Sequence, residues 1–381
     1  MILYVLVFFL VIFINYIAEQ YNYRKDIILA ISFLFLAVFV GISDMLGGYD
    51  RYIYSNLFDD IADITRNGSS YKKAAIFNLY PSEIGYIGYN IIVSYFTANR
   101  YIFVLLITFT IYSLFYFSIK KYCFNYPFAV MLFMGFMFFF TFTYLRQLIG
   151  VGIAWLTIQY VYKRKLYKFL ICIFIAATFH NSAIILLPLY FIPMKRFRKV
   201  HIAMIMILCL FLGLSGEPAA IFRVYGNVAD MQERGDSYAE REISFRFEYI
   251  IEAFVILYLI LRNYAQIPVT KINIVMLNAS LGFCALLLLF AQSLNGGRLA
   301  WFYLIGPISL LASIANNIRI NNPIRKLIFL ICFLLFFRIL YYWGIMLYPY
   351  KTFFTNGARN ADPIYELYEY DKNYAIDKFY R

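Results

Sequence analysis

The sequence predicts an all-α fold: a polytopic integral-membrane helical bundle of about twelve transmembrane helices plus one short re-entrant or interfacial segment. Three observations predict it. The 381-residue chain is 63% hydrophobic and only 14% charged, with a mean hydropathy of +0.70, more apolar surface than a soluble core can hold. Apolar stretches of about 20 residues, the length that crosses a bilayer, recur between short polar breaks from Met1 to Tyr348. Basic residues gather in alternate connections between those stretches.

The elements follow in order. The opening "MILYVLVFFLVIFINYIAEQYNYRK" has no charge before its apolar core and places Arg24 and Lys25 after it. That is the reverse of a cleavable signal peptide, so it is expected to remain as the first span with its N-terminus outside. Crossings are expected at 2–18, 27–43, 101–119, 127–144, 147–162, 166–179, 182–193, 201–214, 247–262, 272–294, 299–317 and 327–348. The segment 84–97 is apolar but short, and counting it as a crossing would carry Lys120 and Lys121 outside; it is read as re-entrant or interfacial. The pair 166–179 and 182–193 is also short, while both its flanks are basic and share a side. That forces a hairpin, either two crossings or a re-entrant dip. One transmembrane domain, 1–348, results, with outside loops at about 44–100 and 215–246 and an outside C-terminal tail, 349–381.

The net charge of +13 is spread in a telling way. Six connections, marked by Arg24, Lys120, Lys163, Lys195, Arg262 and Arg319, hold 17 basic residues against two acids, Glu19 and Asp26. This asymmetry places them in the cytoplasm and orients the chain. It does not mark a polyanion site, so nucleic acid is not an expected partner. Four of the five cysteines (Cys172, Cys209, Cys284, Cys332) sit in apolar spans and Cys123 in a cytoplasmic loop, with no disulfide framework and no C-x-x-C. The chain lacks D-x-D, a P-loop, G-x-G-x-x-G, H-E-x-x-H and G-x-S-x-G, so no metal or cofactor is expected.

Polar residues in apolar surroundings then stand out, because each costs free energy in the membrane unless it pairs or lines a cavity. Arg146 and Gln147 interrupt "FFFTFTYLRQLIGVGIAWL"; Arg298 lies in "SLNGGRLAWFY"; His180, Asn181 and Ser182 lie in "ATFHNSAIILLP". The topology puts all of them, with Asn295, toward the outer face. Alone, each arginine reads equally as a snorkelling anchor, and His180 as part of a helix cap. Arg338, in "LLFFRILYYW", sits near the middle of the last span and calls for either a buried partner, Glu248 or Glu252, or a substrate contact. In the first outside segment Asp50, Arg51 and Glu83 adjoin apolar stretches, whereas Asp59, Asp60 and Asp63 read as solvated surface. Two glycines beside "YDRY" allow a tight turn there. The second outside loop offers Arg223, Arg241 and Arg246 on a surface helix.

The run "TYLRQLIGVGIAWLTIQYVYKRKLYKFLICIFIAATFHNSAIILLPLYF" resembles the EpsG-like family of bacterial exopolysaccharide and O-antigen polymerases, the Wzy type. It shares an L-R-Q at the start of one span, a basic K-R-K turn, and F-H-N-S-A leading into an apolar segment. "GGYDRYIYSNLF", "SEIGYIGYN" and "GGRLAWFY" extend the resemblance over most of residues 40–310, although "YDRY" departs from the commoner spacing around the aspartate. The resemblance implies a glycosyltransferase of the bacterial cytoplasmic membrane with its active site on the extracytoplasmic side. Donor and acceptor would both be undecaprenyl-diphosphate-linked oligosaccharides, with the bilayer and a chain-length regulator protein as further partners. In that chemistry Arg146 and Arg298 would meet the charge growing on the diphosphate, and His180, or else Glu83, would take the proton of the attacking hydroxyl. Two other readings compete. A flippase for the same lipid would need cationic residues along a path to both leaflets. A GT-C transferase using a polyprenyl-phosphate monosaccharide would make Asp44 and Asp50 catalytic.

Overall fold

The computed structural model describes residues 1–216, 218, 245–293, 296–317, 323–355 and 363–381. Among them every regular element is helical, and the only extended pairing is a single bridge between Ser43 and Thr352. The chain divides into two units: unit 1 comprises Met1–Lys120, Tyr126–Ile149 and Lys326–Arg381, and unit 2 comprises Lys121–Asn125 and Gly150–Arg325.

Unit 1 begins with α1 (Ile2–Gln20) and α2 (Lys25–Gly41). Their one buried polar contact is closed internally: Asn15 Nδ2 donates to Ser32 Oγ at 2.7 Å and to Val11 O at 2.9 Å, as a low-dielectric interior requires. The turn after α2 uses Gly47 and Gly48 at φ 106° and 100°. A side chain at Gly47 would also run into the backbone of Phe142, so both dihedral and space demand glycine. Next comes α3 (Tyr49–Asn67), amphipathic and stopped by Gly68 in the left-handed region at φ 62°. A one-turn helix, α4 (Ala75–Leu79), then leads to α5 (Ile84–Ser94), α6 (Arg100–Tyr122) and α7 (Tyr126–Phe136). Rings of Tyr4, Phe8, Phe39, Phe138, Phe139 and Phe336 interlock at centroid distances of 4.6–6.3 Å to form the core. The first turn of α8 (Leu145–Tyr162), through Ile149, completes the central part of the unit.

Unit 2 holds the rest of α8, α9 (Leu166–Phe179), the short α10 (Pro188–Phe191), α11 (Lys199–Leu214), α12 (Phe247–Arg262), α13 (Lys271–Leu289), α14 (Gly296–Ala300) and α15 (Ile305–Asn317). Helix α13 is its axis. Gly213 of α11 and Gly306 of α15 lie against the α13 backbone, where a methyl group would collide. Trp155 Nε1 donates to Trp301 O at 2.9 Å and Asn278 Nδ2 to Pro193 O at 3.1 Å, so these two buried donors find backbone partners.

The chain is therefore a helical membrane protein, but the described residues do not bear out about twelve crossings. Three helices are long and apolar enough to span a bilayer: Ile2–Gln20, Arg100–Tyr122 and Lys271–Leu289. A fourth span results if the bent pair Gly296–Tyr303 and Ile305–Asn316, which turns by 56°, is counted as one. Hydropathy reads composition and does not see backbone breaks. The stretch 127–144 becomes the 11-residue α7 followed by a 3₁₀ turn, Phe138–Phe142, and 182–193 becomes a 3₁₀ turn, Asn181–Leu186, followed by the four-residue α10. The segment 84–97 folds as a helix of 11 residues, too short to span.

The C-terminal segment belongs to unit 1. After α16 (Pro323–Tyr342) and α17 (Gly344–Leu347), Asp44 N donates to Lys351 O at 2.9 Å and Tyr350 stacks on Phe39 at 4.4 Å. Helices α18 (Pro363–Tyr368) and α19 (Asn373–Ile376) belong to the same unit.

Candidate active site

In unit 1 three segments carry polar side chains to one point. The turn before α5 ends in Glu83, whose N–H is tied to Tyr80 O at 3.0 Å, so Tyr80 and Glu83 are held together. The 3₁₀ turn before α8 delivers Arg146 on that helix's first turn. Helix α3 contributes Tyr54. There the Arg146 guanidinium forms an ion pair with Glu83 and lies over the Tyr80 ring at 3.7 Å, with Tyr54 and Tyr86 at 5.7 and 5.8 Å. The tyrosines also support one another, Tyr86 standing edge-on to both Tyr54 and Tyr80 at 6.0 Å. Side-chain exposure is 10% for Arg146 and 2% for Glu83, so the pair is screened from bulk solvent. Burial pushes the Tyr54 phenol up and the charge of Asp50 adds to it, which keeps the hydroxyl protonated and able to donate.

Such a pocket has defined chemistry. A guanidinium is permanently charged, planar and able to grip two oxygens at once, and the tyrosine faces stabilise it electrostatically. Glu83 balances that charge while no other anion is present. An anion with several oxygens would compete for Arg146 and leave the carboxylate without its partner.

The other sequence candidates fall out as follows. Asp50, on the first turn of α3, is half-buried and makes no hydrogen bond or ion pair among the described residues. Arg51 is fully buried: Nη1 donates to Ser43 Oγ at 2.6 Å and Leu46 O at 2.9 Å, and Nη2 to Val40 O at 3.0 Å. Desolvation pulls its pKa down to about 10, opposed by Asp44. These bonds tie it to the turn that launches α3. Gln147 is buried beside Arg146. Arg338 is half-buried in α16 and has no ion pair among the described residues; Glu248, one expected partner, pairs with Arg246 at 3.6 Å.

His180, Asn181 and Arg298 belong to unit 2. His180 ends α9, its Nδ1 2.6 Å from Ser182 Oγ and accepting from Ser182 N at 3.4 Å, which is the capping geometry that His-Asn-Ser suggests. Asn181 follows it in a half-buried position, and Gly150 of α8 lies close to the His180 backbone. Arg298 is half-buried on α14 behind Gly296 and Gly297, which press on Phe290 and Tyr249. Tyr303 Oη donates to Ile185 O at 2.8 Å, so unit 2 joins the chain segments that carry these two motifs. Arg223, Arg241 and Asn295 lie outside the described residues.

One sequence reading is overturned. Asp59 is not solvated surface: it is buried, accepts from Arg100 Nε at 2.9 Å and from Tyr374 Oη at 3.3 Å. Asp63 is likewise engaged, 2.7 Å from Arg381 Nη1, and Asp60 accepts from Ala75 N at 2.9 Å. Nothing in the sequence marks Tyr54, Tyr80 and Tyr86 beyond their proximity to Glu83 and to the glycine-rich turn.

An integral-membrane helical protein with a buried, tyrosine-flanked arginine–glutamate pair is the class that fold and pocket define. The EpsG family model matches residues 26–354, and the chain belongs to that family, which places it among EpsG-like polymerases of polysaccharide biosynthesis. No curated protein and no solved structure matches.

Proposed function

We propose that the chain is a glycosyltransferase that polymerises oligosaccharide repeat units, moving a glycan from polyprenyl diphosphate to a lipid-linked acceptor. The observation that carries this reading, beside the family match, is the Arg146–Glu83 pair inside its tyrosine cage. The acceptor's hydroxyl oxygen forms the new bond to the anomeric carbon, and its proton passes to Glu83. The bond from that carbon to the diphosphate breaks, and its electron pair stays on the departing polyprenyl diphosphate. Arg146 meets the charge that grows there. Entry of the diphosphate takes Arg146 from Glu83 and so converts a neutralised carboxylate into an available acceptor for the proton.

Within unit 1, Asp50 is read as an acceptor for sugar hydroxyls and Gln147 and Arg338 as further substrate contacts; within unit 2, Asn181 and Arg298 are read as substrate contacts of their own. Arg51 holds the turn under α3, and His180 is assigned to the cap of its hairpin, its Nδ1 being engaged by Ser182. The basic connections support an active site on the extracytoplasmic side of a bacterial cytoplasmic membrane, with undecaprenyl diphosphate as carrier and a chain-length regulator as partner. About twelve crossings remain the expectation of that topology. Polymer displayed on a gel, from a strain lacking its own polymerase and carrying this chain, tests the reading. Loss of polymer in Glu83→Gln with retained membrane insertion supports it; unchanged polymer in that variant refutes the role of the pair.

A further inference from the structure

Helix α3 is gripped on two opposite faces. Tyr54, Ile61 and Thr65 lie on one: Tyr54 borders Arg146, Ile61 is buried, and Thr65 Oγ1 is 2.6 Å from Ser94 Oγ of α5. Tyr49, Tyr52, Asn56, Asp59 and Asp63 recur at alternating spacings of three and four residues, which at 3.6 residues per turn puts them together on the other face. That second face is met by the C-terminal segment and by Arg100 of α6. Tyr368 packs on Tyr49 at 4.5 Å and on Tyr52 at 6.4 Å, Tyr374 Oη bonds Asp59, and Arg381 pairs with Asp63 at 2.7 Å. Arg100 rivets the assembly. It bonds Asn56 at 2.9 Å and Asp59 on α3 and Glu369 on the tail at 3.0 Å, and its guanidinium lies over the Tyr374 ring at 4.2 Å. Lys378, paired with Asp44 at 3.2 Å, holds the turn that precedes α3.

We propose that residues 363–381 form a strap that positions the Arg146 pocket by holding α3 from behind. The inference rests on reading that pocket as the seat of the chemistry. The strap's residues are positioning residues: each acts through the helix that carries Tyr54 and Asp50. The arrangement explains why so many charges are buried at a site with no reacting group of its own. A buried ion pair contributes little net stability yet specifies one geometry, which is what a positioning contact requires.

The test uses the full-length chain in membranes and the pair Arg381–Asp63, which is partly exposed and therefore open to exchange of its two charges. Arg381→Asp and Asp63→Arg are each expected to speed amide exchange across α3 and across residues 80–86, and to lower polymer yield roughly two- to fivefold, the weight of one solvent-reachable ion pair. The double variant is expected to recover part of both losses, since the exchange also turns Arg381's second contact, with Asp371 at 3.8 Å, into a repulsion. Tyr368→Ala, which removes a ring contact and no charge, should act in the same direction. Faster exchange confined to 363–381, or full polymer yield in all three single variants, would overturn the proposal, as would failure of the double variant to recover. If the unaltered chain makes no polymer, the reading of the pocket fails instead, and the exchange pattern alone decides whether the strap holds α3.

Discussion

Replacing Arg146 by lysine separates a ligand-gripping arginine from a membrane anchor. Both side chains reach a headgroup layer and both are charged, so an anchor would tolerate the exchange. The pocket would not. The Arg146 guanidinium lies over the Tyr80 ring at 3.7 Å with the Tyr54 and Tyr86 rings at 5.7 and 5.8 Å, and pairs with Glu83 from that position. An ammonium group keeps the charge but cannot offer two parallel N–H groups from one plane, and it is more strongly hydrated than a guanidinium. Loss of one oriented charge-stabilising contact in a transition state costs about 2.7–4 kcal/mol, or roughly 10²- to 10³-fold in rate. Alanine would be a poorer probe. It leaves the buried Glu83 carboxylate uncompensated, a change worth about 3–5 kcal/mol of stability, so low activity could reflect low abundance. The assay is polymer length on a gel from a strain without its own polymerase, with a membrane-fraction blot to match expression. Wild-type polymer length in Arg146→Lys at matched expression would refute the diphosphate-binding role.

Glu83→Gln keeps the shape and removes the base; activity is expected to fall about 10²- to 10⁴-fold, measured as rate of elongation with purified protein. His180→Gln retains an acceptor for the Ser182 N–H and is expected to keep activity within a few-fold, whereas His180→Ala should weaken the cap by about 0.5–2 kcal/mol, seen as faster amide exchange over 181–186. A near-complete loss in His180→Gln would instead make the imidazole the base. Cysteine at Ser70 is expected to react with an impermeant thiol reagent applied from outside, and cysteine at Arg198 to react only after the membrane is opened; the reverse pattern would invert the topology read from the basic connections.

How much of this could be read from the sequence depends on what each residue's partners are. Arg146 and Glu83 stand out because a charge beside an apolar run is costly, and that cost is visible without a structure. Their tyrosine cage is not visible, since Tyr54, Tyr80 and Tyr86 are three among 37 tyrosines and most aromatic residues of such a chain face lipid or the core. Arg100 carries no signal in the sequence, and Asp59 reads there as solvated surface, for another reason. Arg100 lies 41 residues from Asp59 and 269 from Glu369 along the chain, so an acidic stretch that looks solvated is in fact covered by a distant segment. The helical, membrane-embedded character follows from composition alone. Span boundaries do not, because the break after Phe136 and the 56° bend near Leu304 arise from packing and not from hydropathy.

Formation of glycosidic bonds by displacement of polyprenyl diphosphate can be followed in a single reconstituted assay. Purified protein in proteoliposomes is given repeat units on polyprenyl diphosphate, and glycan length, free polyprenyl diphosphate and leaflet distribution are followed together. A ladder of products growing by whole repeat units is expected, with one polyprenyl diphosphate released per bond formed. Movement of the lipid between leaflets with no new bond, or growth by single sugars, would contradict it.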